Sequence, residues 1–153
     1  MRVLVISEDA VTRLRAVSAL RLRGDADVIE VDSALAAREA LATPPSFDVL
    51  VIDGDLQPKG GFALLYSLRA QDELGDRAST PAVVLAGREQ DRWLGDWAGA
   101  NAVLVKPVGP FALAEQVSDL VGAAPAAHGA VESGDQVADL LASGEGRTAG
   151  LAP

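Results

Sequence analysis

Residues 48–69 read DVLVIDGDLQPKGGFALLYSLR. Residues 49–52 are a continuous aliphatic run without alternation, which suits a strand covered on both faces. Asp53, Gly54 and Asp55 end the run, and Pro58, Gly60 and Gly61 punctuate a loop. Phe62, Leu64, Leu65 and Leu68 then supply one apolar stripe at helical spacing. Strand, acid-bearing loop and helix in that order form the repeating unit of a parallel sheet.

The same unit recurs outward from this stretch. Four further aliphatic runs occupy residues 3–6, 28–31, 82–85 and 102–105. Val11, Leu14, Val17, Ala19, Leu20 and Leu22 give the first run a following helix, with Gly24 as its stop. Ser33 is placed to N-cap a second helix through 35–41, ended by Pro44 and Pro45. Trp93, Leu94 and Trp97 lie on a short fourth helix. Phe111, Leu113, Val117, Leu120 and Val121 lie on a fifth, opened by Pro110. The pattern is (βα)5. It predicts an α/β three-layer, doubly wound sandwich around a five-stranded parallel sheet, with right-handed crossovers.

Composition bounds the function. The chain has 153 residues, enough for one domain, and 49% of them are apolar, enough for a real core. The formal net charge is −9. That argues against direct binding to nucleic acid, which needs a basic surface, and against docking on an anionic membrane. There are no cysteines, which excludes disulfides, thiolate metal sites and a thiol nucleophile. His128 is the only histidine, so neither a Ser-His-Asp triad nor a multi-histidine metal site is expected. The apolar runs are of strand length, and the start MRVLVISEDA has no secretory apolar region. These features read as a soluble, cytoplasmic, acidic protein. Residues 1–121 are expected to form the domain. Residues 122–153, rich in Ala, Gly and Pro, are expected to be a mostly disordered acidic tail that cannot supply a DNA-binding or output domain. Within that tail Val137, Leu140 and Leu141 have the spacing of a helical turn or two.

In a doubly wound sheet, ligands sit beyond the carboxyl ends of the strands. Ser7, Glu8 and Asp9 follow the first strand. Asp53, Gly54 and Asp55 follow the third, Ala86, Gly87 and Arg88 the fourth, and Lys106 and Pro107 the fifth. Carboxylates from two strand ends and a lysine from a third therefore converge on one edge. Clustered carboxylates repel, and Mg²⁺, which takes one or two carboxylates plus a phosphate oxygen, relieves that cost. A lysine beside them is a point charge for a phosphoryl oxygen, and an aspartate can accept a phosphoryl group as nucleophile.

With these residues in place, the chain from Arg2 to about Val121 resembles a response-regulator receiver domain of two-component signalling, of the single-domain, chemotaxis-regulator-like kind. The matching spans are 48–69, PAVVLAGR at 81–88 and AGANAVLVKP at 98–107. The resemblance implies a flavodoxin-like sheet of order 2-1-3-4-5. It implies Asp53 as phosphoacceptor, Lys106 as the phosphoryl-contacting lysine and a cis bond at Lys106–Pro107. It implies Mg²⁺ held by Asp53, Glu8 and the backbone carbonyl of Asp55, with Asp9 as a compensating ligand. It also implies a sensor histidine kinase as donor, a downstream protein as target, and no enzymatic activity beyond accepting phosphate. A homodimer through the fourth-helix and fifth-helix face is consistent with it.

Several positions depart from the family pattern. Ser7 and Glu8 stand where the family has an acidic pair, so the metal site is expected to be weak. Gln57 stands at the usual proline, with Pro58 one later, so that loop is expected to be reshaped. Ala86 replaces the Thr or Ser whose hydroxyl bonds the phosphoryl group, and Val103 replaces the switch aromatic. The expectation is an atypical receiver that can be phosphorylated without using that switch. The strongest rival is a pseudo-receiver, a protein-interaction module that is never phosphorylated. Asp53-Gly-Asp55 also resembles the D-x-D of haloacid-dehalogenase-type phosphatases, but the residues that follow do not. A nucleotide or flavin binder would need a phosphate loop after the first strand, and SEDAVTR is not one. Trp93 and Trp97, at i and i+4, share one face. They read first as core anchors and second as an interaction hot spot.

Overall fold

The computed structural model describes residues 1–22, 25–75 and 78–132. The elements in chain order are β1 (Arg2–Ile6), α1 (Ala10–Leu22), β2 (Asp27–Val31), α2 (Ala34–Ala42), β3 (Val49–Asp53), α3 (Gly61–Leu74) and β4 (Ala82–Ala86), then a 3-10 turn at Glu89–Asp91, α4 (Leu94–Ala98), β5 (Ala102–Val105) and α5 (Pro110–Glu132). All five strands are parallel, in the order β2-β1-β3-β4-β5. This is the doubly wound arrangement that the alternating pattern implies, in the flavodoxin-like strand order that the resemblance implies.

The continuous aliphatic runs explain why β1, β3 and β4 are central. Their residues from Val3 to Ile6, Val49 to Ile52 and Ala82 to Ala86 are buried, as strands covered on both faces must be. On one face Leu4, Ile6, Leu50, Ile52 and Val84 join Phe62, Leu64, Leu65 and Leu68 of α3 in a single core cluster. Full burial of a side chain such as Leu65 contributes roughly 2–3 kcal/mol. Ser33 caps α2 as expected, its hydroxyl accepting from the Ala36 N–H at 3.0 Å. The expected stop of α1 at Gly24 lies outside the described residues.

Two expectations need correction. The apolar stripe of α1 is buried only in part: Val17, Ala19 and Leu20 are buried as expected and Ala16 joins them, while Val11, Leu14 and Leu22 are exposed. Trp93 and Trp97 are not core anchors, being 66% and 48% exposed. Helix α4 spans only five residues, and it buries Gly95 and Ala98 instead. Helix α5 runs on to Glu132, into the stretch that begins at residue 122. The alanines at 123, 124, 126 and 127 supply the best intrinsic helix propensity. The chain divides into two units between Leu120 and Val121. Val137, Leu140 and Leu141 lie outside the described residues. Among those residues, no helix is long and apolar enough to cross a membrane.

Candidate functional site

The parallel register brings four strand ends to one edge. Asp53 is the last residue of β3 and pairs with Leu85, and Ala86 at the end of β4 pairs with Val105. Backbone bonds carry the order one residue further: Ser7 N donates to Val31 O, Gly54 N to Leu85 O and Lys106 N to Ala86 O. Asp53, Ser7 and Lys106 are therefore placed by sheet geometry and not by loop conformation.

Asp53 is 3% exposed, yet both its oxygens have partners. Lys106 Nζ donates to Oδ1 at 2.8 Å, and the Asp55 backbone N–H donates to the same oxygen at 3.0 Å. Ser7 Oγ donates to Oδ2 at 2.6 Å. A buried carboxylate is costly unless paired and hydrogen-bonded, and here both conditions are met. Lys106 Nζ also reaches Asp55 Oδ2 at 2.9 Å, so one ammonium holds two carboxylates. Burial alone would push that ammonium's pKa down. The hydrogen bonds to Asp53 and then Asp55 outweigh burial and hold it above its ordinary value of 10.5.

A raised lysine pKa contributes its full stability below the unfolded value and loses it as pH climbs through the folded one. The melting midpoint should accordingly fall above pH 10.5, and Lys106→Met should remove the lysine's share of that fall. Identical midpoint-against-pH curves for the two proteins above that pH would contradict the coupling.

The remaining acids occupy different posts. Glu8 is exposed, and its Oε1 accepts from the Gln57 backbone N–H at 2.6 Å. The Gln57 side-chain amide lies 3.4 Å from Asp55 O. The Glu8 carboxylate and the Asp55 carbonyl thus both lie against Gln57. Asp9 turns away to cap α1, accepting from Thr12 Oγ1 at 2.6 Å and Thr12 N at 3.1 Å. Those bonds, the side-chain one foremost, hold its carboxyl below the ordinary range. Among the described residues, no three Asp, Glu, His or Cys side chains cluster as a metal site. The Gln57–Pro58 and Lys106–Pro107 bonds are both cis, the second as the resemblance implies.

Ala86 presents a buried methyl group at the end of β4. Val103 lies directly under α4: a Cβ on Gly95 would fall 2.4 Å from Val103 Cγ2. Arg92 Nη1 donates to Val103 O at 2.8 Å from the same side. Tyr66 on α3 stacks on Trp97, with ring centroids 4.5 Å apart and planes 9° from parallel. Two contacts were missing from the sequence reading. One is the direct bond from Ser7 to Asp53, signalled by the adjacency of β1 and β3 ends. The other is Arg13 Nη1 on Ser7 O at 2.7 Å, one helical turn into α1.

No family model matches the chain. Individual proteins do. An uncharacterized response regulatory protein of Mycobacterium tuberculosis is 32% identical over 127 residues, covering 80% of this chain and 92% of its own. The transcriptional regulatory protein PrrA of Mycobacterium leprae is 36% identical over 119 residues, which are 76% of this chain and 47% of PrrA. Among solved structures, the receiver domain of a Francisella response regulator superposes with a TM-score of 0.70 at 24% identity. That match covers 80% of this chain and 98% of the other, and it agrees in fold.

Proposed function

The chain belongs to the response-regulator family through its receiver domain, and on that premise we propose that Asp53 accepts a phosphoryl group from a sensor histidine kinase or a small phosphodonor. The observation that carries this reading is the buried Asp53 carboxylate paired at 2.8 Å with Lys106 at the carboxyl edge of the sheet. A carboxylate oxygen attacks phosphorus in line. The new O–P bond makes an acyl phosphate, the P–N bond of the phosphohistidine breaks, and its electron pair stays on the imidazole nitrogen. Lys106 remains beside the acceptor and holds a transferring phosphoryl oxygen, where a fixed positive charge is worth most. The Asp55 N–H keeps Oδ1 oriented.

The oxygen donors around Gln57 fit Mg²⁺. Asp53, Glu8 and the Asp55 carbonyl would hold it, since this cation takes few carboxylates and keeps its waters. When bound it would offset negative charge on the phosphoryl oxygens. Asp9 is committed to Thr12 and is not in this set.

The phosphorylated state is read without a hydroxyl at position 86 or an aromatic at 103. Beryllofluoride, a phosphoryl mimic, is expected to shift backbone amide resonances near Ser7, Asp53 and Lys106 only. Large shifts running through β4, α4 and β5 would contradict this. Output passes through protein contacts, for which Tyr66, Trp93 and Trp97 offer exposed aromatic surface to a downstream protein or a second copy.

Intact mass after incubation with acetyl phosphate and Mg²⁺ tests the proposal. One phosphoryl adduct is expected, absent from Asp53→Ala. A folded wild type that takes no adduct from acetyl phosphate or from phosphorylated kinases would overturn it in favour of the pseudo-receiver.

A further inference from the structure

Ser7 is the residue whose chemistry in this pocket is most specific. It is 1% exposed, beside the 3% exposed Asp53, and the two side chains are joined at 2.6 Å. The direction of that bond is fixed. The Asp9 backbone N–H donates to Ser7 Oγ at 3.1 Å, which fills an acceptor position of the hydroxyl. The other oxygen near it, Asp9 O, lies at 3.4 Å, so the single Ser7 proton goes to Asp53 Oδ2. Arg13 anchors the Ser7 carbonyl, and the Ser7 N–H is bonded to Val31, so the residue is held at both ends. Lys106 and the Asp55 N–H serve Oδ1. Glu8, the other carboxylate at this rim, already accepts from Gln57 N. Each carboxylate around the pocket is thus bonded by a protein donor.

We propose that Ser7 takes the place of a cation on Asp53 Oδ2, so that the pocket stays assembled without a divalent ion and binds one only weakly. A cation approaching Oδ2 meets a hydroxyl proton aimed at that oxygen, and it must displace a short buried hydrogen bond to enter. A carboxylate at position 7 would reverse this. It would set two like charges within a few ångströms in a buried pocket, a cost that a divalent cation relieves. Position 7 therefore sets how far the pocket depends on metal. The inference rests on reading this pocket as the phosphoacceptor site, but it concerns binding and stability and does not need phosphate to be present.

Mg²⁺ titration by calorimetry and thermal melts with Mg²⁺ or EDTA test it, on the full chain and on Ser7→Asp. Wild type is expected to melt at the same midpoint in both conditions and to show weak Mg²⁺ binding. Ser7→Asp is expected to bind Mg²⁺ roughly tenfold or more tightly, and to melt lower in EDTA with recovery in Mg²⁺. Ser7→Ala removes the hydroxyl from Oδ2 and adds no charge; it should lose midpoint in EDTA and regain part of that loss in Mg²⁺. Wild type whose midpoint rises on Mg²⁺ addition as much as that of Ser7→Asp would overturn the inference. So would equal affinities in the two proteins. If Ser7→Asp does not fold in EDTA but folds in Mg²⁺, the inference is upheld. If it folds in neither, wild type carries the decision through its own titration and midpoint. Failure of the phosphoacceptor reading looks different: it appears as a missing phosphoryl adduct, whatever the metal data show.

Discussion

Lys106→Met should slow phosphoryl transfer from acetyl phosphate to Asp53 by roughly a hundredfold, the scale set by removing one fixed electrostatic contact to a reacting oxygen. The Met side chain keeps most of the lysine stem and deletes only the charge. In the resting pocket Lys106 holds Asp53 Oδ1 at 2.8 Å and Asp55 Oδ2 at 2.9 Å, so no other cation is needed to fix the acceptor. Its removal leaves the buried Asp53 carboxylate with only Ser7 and the Asp55 N–H. Stability should therefore drop as well. Breaking a fully buried pair costs about 3–5 kcal/mol. Lys106 keeps some solvent contact, so about 2 kcal/mol is the expected loss. Adduct formation followed by intact mass gives the rate, and urea unfolding gives the stability. If the deficit comes from the orphaned carboxylate, Asp53→Asn in the Lys106→Met background should recover much of it. A rate within a factor of about three of wild type would show that Lys106 does not touch the transferring group.

Gly61→Ala should cost about 3 kcal/mol or more, since among the described glycines it has the closest clash. A Cβ there would lie 2.1 Å from Asp53 O, 2.8 Å from Asp53 C and 2.8 Å from Ile52 Cγ2. Two of those three atoms are backbone of β3, so the clash cannot be relieved by a side-chain rotation. Relief requires α3 to lift from the sheet or β3 to move, and either displaces Asp53. Gly75→Ala is the control. Its Cβ would meet nothing closer than Gln71 O at 3.6 Å, and a change of no more than about 0.5 kcal/mol is expected. Urea midpoints of the two variants make the comparison. Equal losses would mean that α3 does not rest on Asp53 as described.

The two glycines also show where sequence reading reaches and where it stops. Residues 60 and 61 read as loop punctuation, which was right, but the close approach of Gly61 to the Asp53 backbone has no sequence signature. Strand identity was legible because fully buried strands need unbroken Val, Leu and Ile, and β1, β3 and β4 supply them. The first helix was legible in place, and its facing was legible only in the middle of the helix. Val17, Ala19 and Leu20 of the expected stripe are buried together with Ala16, whereas Val11, Leu14 and Leu22 toward the two ends are exposed. The tryptophans failed for a related reason. A five-residue helix has too little surface to bury two indoles, and spacing does not reveal helix length.

At the site, Asp53 and Lys106 were readable from their positions after strands three and five, because parallel strands bring their carboxyl ends to one edge. Ser7 was readable as a departure, but not as a donor. Its role depends on which oxygen its proton meets, and that is set by the Asp9 N–H and by the neighbouring register of β1 and β3. Asp9 shows the opposite case. A loop acid beside a pocket looks like a ligand in sequence, and the start of α1 claims it as a cap.

The proposed phosphoacceptor is Asp53 itself. Borohydride reduction of acetyl-phosphate-treated protein, followed by peptide mass spectrometry, tests it at residue level, because reduction of an aspartyl phosphate leaves homoserine at the modified position. The expected result is homoserine at position 53 alone, with unmodified aspartate at position 55. Homoserine at position 55, or none in any peptide of the folded protein, would contradict it.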